Sequence, residues 1–330
     1  MKRWGLLGVQ LAVTVGLLAY LFSRDAFRAD IGDVLASARP GWLLAAVLGA
    51  GAVNALCWVR WWLCLRILGL EVSLGRSLRF YAIGLFASLF LLGPLGGDAV
   101  RIGLLWRDGH AKPAAAMSVM VDRVSGLVAL ILGTAGLTAF RLEWFAQDTL
   151  SLRLVQGLWV YLAGATVALI VSLVVSRLDW AQRLPARLPG REHLIGLTEG
   201  WARVSRHGGL ALVAVGLSIV SLVIYYGVFA VCTTAFRAEI AWDDVLAVMP
   251  VVDTAAALPV SVAGLGLREA LFEVMLERLA GVPPATSVLV SLGGFVSMSV
   301  WCAAGAFGLM GYRGDRAGAP VKLSELGADV

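Results

Sequence analysis

The sequence predicts an all-α polytopic membrane protein, with six full spans plus two re-entrant broken helices arranged as an inverted repeat. Three observations carry this. Of 330 residues, 59% are hydrophobic and 15% charged, against roughly 25% charged in soluble domains. Six apolar runs (5–22, 42–59, 114–139, 155–175, 210–232 and 285–310) have 18 or more residues, about 27 Å or longer as helices. Two further runs, 80–93 and 245–258, have 14 residues each. As helices they reach about 21 Å, short of a hydrocarbon core of roughly 30 Å.

The first run follows Lys2 and Arg3, as in a secretory leader, but no A-x-A site follows it. It is read as a retained first span. The second run leads into Trp58, Arg60, Trp61, Trp62 and Arg66, which read as an aromatic belt with snorkelling arginines. The short runs end in "GPLGGDAVR" (93–101) and "PVSVAGLGLRE" (259–269). Each break is followed by a short amphipathic segment, 98–108 or 268–280. Gly109 or Gly281 then stops the helix, and Pro113 or Pro283-Pro284 restarts the chain before a long span.

Loop charge decides the topology. If all eight runs cross, Lys and Arg divide as 12 inside and 14 outside, which is no bias. If both short runs return to the side they entered from, 18 lie inside and 8 outside, with Arg123 left within a span. The positive-inside rule selects the second arrangement. The N-terminus and C-terminus are then cytoplasmic. The halves, 5–139 and 155–312 joined by 140–154, each cross an odd number of times, so they are inverted. Paired broken segments in an inverted repeat point to a transporter's binding site. The whole of 1–312 is read as a single transmembrane domain. The basic loop 176–209 is expected to be interfacial, and 313–330 a polar tail.

The net charge of +5 resides mostly in loops facing anionic lipid, so no nucleic-acid partner is implied. Cys57, Cys64, Cys232 and Cys302 lack CxxC spacing and read as packing thiols. No cofactor or metal is implied, since His110, His193 and His207 lie in loops and no HExxH or phosphate-binding loop is present. The acidic pairs Asp30/Asp33 and Asp243/Asp244 fall in predicted outer loops and read as solvated or capping carboxylates.

Charges inside a membrane need a partner or a purpose. Asp122 and Arg123 lie 12–14 Å into their span at about 1.5 Å per residue. They point to different faces and require partners from other segments, for which the break residues are the candidates. Asp98 could cap the short helix or pair with Arg101 three residues on. Arg268 and Glu269 follow the second break, and Asp253 lies within the second short run. Free backbone N–H groups at broken helices, with arginines close by, suit a phosphate. Gly96, Gly97, Gly264 and Gly266 would let backbone approach such a ligand closely.

These motifs resemble the lysylphosphatidylglycerol synthase transmembrane region, or flippase-like domain, family. The resemblance rests on "GPLGGDAVR" (93–101), "AAAMSVMVDRVSGLVAL" (114–130) and "LPVSVAGLGLREALF" (258–272). Asp98, Arg101, Asp122, Arg123, Arg268 and Glu269 fall on motif positions. Ala263 and Asp122 depart from a frequent Gly and a frequent Glu. The resemblance implies movement of an anionic or modified phospholipid, or a polyprenyl-linked lipid, between leaflets of a bacterial cytoplasmic (inner) membrane. It implies a stand-alone membrane domain without the fused aminoacyltransferase of some relatives; a lipid-modifying enzyme is a candidate partner. The alternatives are a membrane-embedded, glycosyltransferase-like enzyme acting on a lipid phosphate, and a non-transporting scaffold for a lipid-modifying enzyme.

Overall fold

The computed structural model describes residues 13–16, 19, 23, 25–90, 94–177, 191–257, 261 and 264–310. Every element among them is helical. In order they are α1 (Asp25–Ala36), α2 (Pro40–Ile67), α3 (Leu74–Phe90), α4 (Pro94–Arg107), α5 (Lys112–Phe140), α6 (Leu142–Phe145), α7 (Thr149–Arg177), α8 (Arg191–Arg206), α9 (Gly208–Ala235), α10 (Trp242–Ala256), α11 (Leu267–Ala280), α12 (Pro284–Ala304) and a closing 3-10 turn, Gly305–Leu309.

Five stretches are long and apolar enough to cross a membrane: Pro40–Ile67, Lys112–Phe140, Thr149–Val175, Gly208–Ala235 and Pro284–Leu309. They match five of the six expected spans. The expected first span, 5–22, falls largely outside the described residues, as do the tail 313–330 and part of the loop 176–209. Within the rest of that loop, α8 is amphipathic and docks through Trp201, which is 7% exposed. Arg203 Nη1 donates to Leu68 O at 2.7 Å. The connection 23–41, expected as a loop, contains α1, on which Asp30 and Asp33 are exposed. The helix α7 begins earlier than its apolar run, because Asp148 caps it. The Asp148 carboxylate accepts from Ser151 N–H at 2.8 Å and from its hydroxyl at 2.9 Å.

Both short runs form helices shorter than any of these five stretches. The 17 residues of α3 and the 15 of α10 span about 26 and 22 Å. As expected from sequence, Gly109 and Gly281 take positive φ (97° and 65°) just beyond α4 and α11. The first short helix starts earlier than the break predicts. Proline at the first helical position has no N–H to lose and a φ already suited to helix, so α4 begins at Pro94. Asp98 is therefore inside the helix, and the expectation that it caps α4 is corrected.

The contacts resolve two compact units. One comprises Met1–Val53, Leu132–Tyr161 and Leu222–Val300, the other Asn54–Ile131, Leu162–Ser221 and Trp301–Val330. The second unit has a core of Trp61, Leu65, Phe80, Ile83, Leu104 and Met117, all 1% exposed or less. In it α3 and α4 pack with their backbones nearly touching. A methyl group on Gly97 would sit 2.6 Å from Gly84 O. The closing turn also packs on α3, where a Cβ on Gly308 would lie 3.2 Å from Arg79 O. In the first unit, Phe229 stacks on Phe272 with centroids 5.8 Å apart. There α10 and α11 pack together across the second break, and a Cβ on Gly264 would meet that of Ala256 at 2.7 Å.

Candidate functional site

The charged residues singled out by sequence fall into two sets, one in each unit. In the second unit, α4 and α5 bring together Asp98, Arg101, Asp122 and Arg123. Asp98 accepts from Arg101 through one oxygen and from Arg123 Nε at 2.7 Å through the other. Asp122 accepts from Arg60 Nε at 2.7 Å and lies 3.5 Å from Arg101 Nη1. Asp122 and Arg123 thus turn to different partners, as their adjacency in a helix requires.

Arg60 was expected at a helix end in an aromatic belt. That reading is corrected, because α2 runs on to Ile67 and carries Arg60 inside it. Arg60 Nη1 also donates to the Ser218 hydroxyl at 3.1 Å. Trp61 is likewise fully buried and packs under the cluster, with the Arg101 guanidinium 5.1 Å from its ring and 5.5 Å from that of Tyr81. The apolar stretch "WWLCLRILGL" continuing past Arg60 was the signal in the sequence that this arginine lies within a helix.

Among the described residues, the guanidiniums of Arg60, Arg101 and Arg123 face the carboxylates of Asp98 and Asp122. Arg101 is 7% exposed at its side chain and Asp122 4%, whereas Arg123 is 51% exposed. Buried charge-assisted bonds of this kind are rigid, and removing one partner strands the others. Gly96 and Gly97 lie in the first turn of α4.

The first unit holds Gly264, Gly266, Arg268 and Glu269 at the second break. Glu269 is fully buried. One carboxylate oxygen accepts from Gly266 N–H at 2.6 Å and the other from the Ser291 hydroxyl at 2.9 Å. Its partners are a backbone amide and a hydroxyl, so it fastens the start of α11 to α12. Arg268 is 9% exposed, its guanidinium lies 5.4 Å from the Phe295 ring, and its Nε has no hydrogen-bond partner. Among the described residues no carboxylate lies within ion-pair distance of it. Asp253 accepts from the Tyr225 hydroxyl at 3.0 Å. Outside the helical spans, Ser151 holds the Asp148 carboxyl below its usual range. Asp243 and Asp244, in the first turn of α10, share Arg141, so they are paired as well as helical. The four cysteines are free, with Cys64 and Cys232 buried.

A family model for the lysylphosphatidylglycerol synthase TM region matches residues 7–305. The chain belongs to that family. The match spans nearly all of this lysylphosphatidylglycerol synthase TM-region chain. No curated protein matches it significantly.

Proposed function

We propose that this protein is a flippase-like transporter. It moves an anionic or modified phospholipid, or a polyprenyl-linked lipid, between leaflets of a bacterial cytoplasmic membrane. The observation that carries this reading is Arg268. A buried cation with an unbonded Nε and an aromatic ring beneath it is suited to a phosphate, while the second unit's arginines are already engaged. Within the second unit, half-exposed Arg123 is a separate candidate contact, with Gly96 and Gly97 open to close approach of backbone; in the first unit Gly264 and Gly266 play that part beside Arg268. In this reading the two short helix pairs are re-entrant elements of an inverted repeat, supported by the loop charge bias, and both termini are cytoplasmic. A lipid-modifying enzyme is the natural source of substrate.

The test is translocation of a fluorescent phosphatidylglycerol in reconstituted vesicles. Arg268→Ala is expected to abolish it while the protein remains folded. A wild-type rate in Arg268→Ala overturns the reading. A topology map is expected to place positions near 105 and 275 on opposite sides, with 105 cytoplasmic.

The saturated pairing of Asp98, Arg101, Asp122 and Arg60 favours a second reading for that cluster alone, as a static brace. In that case the reversed pair Arg60→Asp with Asp122→Arg retains transport.

A further inference from the structure

At Phe140 and Arg141 the chain turns from α5 into α6, and ion pairs join this corner to the start of α10. Between them lies a cavity of about 280 Å³, lined by Leu137, Phe140 and Arg141 on one side and by Asp243 and Leu246 on the other. All of these residues belong to the first unit. The helix α5 is one of the stretches long and apolar enough to cross a membrane, and it ends at Phe140. Phe140 is almost wholly exposed, and Trp242, which opens α10, is half exposed. Exposed aromatic side chains at the end of a span mark the headgroup level of a bilayer.

Arg141 Nη2 donates to Asp243 Oδ2 and lies 2.8 Å from Asp244 Oδ1. Among the described residues, Arg141 Nε and Nη1 and Asp243 Oδ1 make no hydrogen bond. The Arg141 side chain is 33% exposed and that of Asp243 65%, so a ligand can reach both. Asp244 is more buried and stays with the arginine.

We propose that this cavity seats the headgroup of a bilayer phospholipid that carries a primary ammonium beside its phosphate, as phosphatidylethanolamine does. The ammonium sits on Asp243 Oδ1 and the phosphate on Arg141 Nε and Nη1. The start of the acyl chains lies along Leu137, Phe140 and Leu246. This site is independent of Arg268, which follows the break at the other end of α10, a helix of 15 residues, about 22 Å long.

Charge and size select this ligand. A purely anionic headgroup would meet Arg141 together with the two carboxylates beside it, and like charges repel. A purely cationic headgroup would meet the arginine. A headgroup carrying both signs suits both. An ammonium with N–H groups makes charge-assisted hydrogen bonds to a carboxylate, which a trimethylammonium cannot make. The volume of about 280 Å³ lies just below the roughly 300–1,000 Å³ of pockets that enclose a drug-sized ligand. It therefore admits a headgroup and leaves the acyl tails in the bilayer. Half-exposed ion pairs contribute modestly, which suits a resident lipid present in excess rather than a scarce ligand.

The experiment is native mass spectrometry of the purified full chain in detergent. Dioleoyl phosphatidylethanolamine, phosphatidylcholine and phosphatidylglycerol are added in equal amounts. The wild type is expected to retain phosphatidylethanolamine about threefold over each of the others, within the range of exposed ion pairs. Asp243→Asn removes the charge that holds the ammonium, while Asp244 keeps Arg141 in place. It is expected to melt near the wild type and to lose the preference. Leu246→Trp fills the cavity without changing a charge and is expected to lose it too. Asp30→Asn, at an exposed acid of α1, controls for bulk charge and should keep it. Glycerophosphoethanolamine, which lacks acyl chains, should not displace the lipid at equal concentration. Equal retention of the three lipids by the wild type overturns the proposal, as does a preference that survives in both Asp243→Asn and Leu246→Trp. Loss of the preference in Asp30→Asn overturns it as well, because bulk charge would then account for the binding. Displacement by glycerophosphoethanolamine assigns the cavity to a soluble ligand and overturns the lipid occupant.

Discussion

Asp122 of α5 binds Arg60 of α2 at 2.7 Å and faces Arg101 of α4 at 3.5 Å, so one buried carboxylate ties three helices together. Asp122→Ala leaves Arg60 without its carboxylate and Arg101 with Asp98 alone. The expected loss is about 3–5 kcal/mol, the range for breaking a buried pair from one side. Unfolding in detergent should show this loss. In a double-mutant cycle, Arg60→Met with Asp122→Asn should show coupling of roughly 0.5–3 kcal/mol. Additive single effects would mean that the contact is not energetically real.

Glu269 distinguishes a cap from a ligand contact. Glutamine keeps an acceptor for the Gly266 N–H and a partner for Ser291, whereas alanine keeps neither. Glu269→Gln is expected to melt near the wild type. Glu269→Ala should lose about 1–3 kcal/mol or more, the cost of stranding a buried donor. Transport lost in a fully stable Glu269→Gln variant would instead assign the carboxylate to substrate.

The close approach of α3 and α4 predicts a sharp contrast between glycines. Gly97→Ala places a methyl 2.6 Å from the Gly84 carbonyl oxygen, while Gly75 of α3 has open space where its Cβ would point. Gly97→Ala is expected to destabilise by about 1–3 kcal/mol. Gly75→Ala should be neutral or slightly stabilising, because alanine favours helix. Thermal melting of the two variants in one detergent checks this.

Asp148 contributes a pH-dependent increment. Its carboxyl is held below the usual range by the Ser151 N–H and hydroxyl, then by Arg278. A depressed carboxyl stabilises the fold above its unfolded value, near pH 4. That contribution disappears as pH falls through the lower folded value. Asp148→Ala should therefore melt lower than wild type at neutral pH, and the gap should close in strong acid. A gap that persists in acid would mean that the stabilisation does not depend on the carboxylate's charge.

Much of this was legible in the sequence, because the membrane makes hydrophobic length and isolated charges informative. Five spans, both short helices and the partnering of Asp122-Arg123 with Asp98 and Arg101 could all be read from spacing. Arg60 was missed because an arginine between tryptophans has the same composition at a membrane interface and inside a helix. Only the extent of α2 separates the two. The start of α4 was misplaced because Pro94 reads as a break but can equally open a helix. The Tyr225–Asp253 bond joins residues 28 apart, and no local pattern could have paired them.

The 3-10 turn Gly305–Leu309 has a practical side. Its glycines lie so close to α3 that Gly305 has no room for a side chain beside the Ala82 carbonyl. The end of the last span is therefore a fitted plug. A reporter or affinity tag joined within 305–309 would lever α3 away from α4, whereas the same tag placed farther along the chain leaves that seat undisturbed. Fluorescence from a fusion at the inner position would fall as the protein misfolds, so a graded series of attachment points would locate where the folded domain ends.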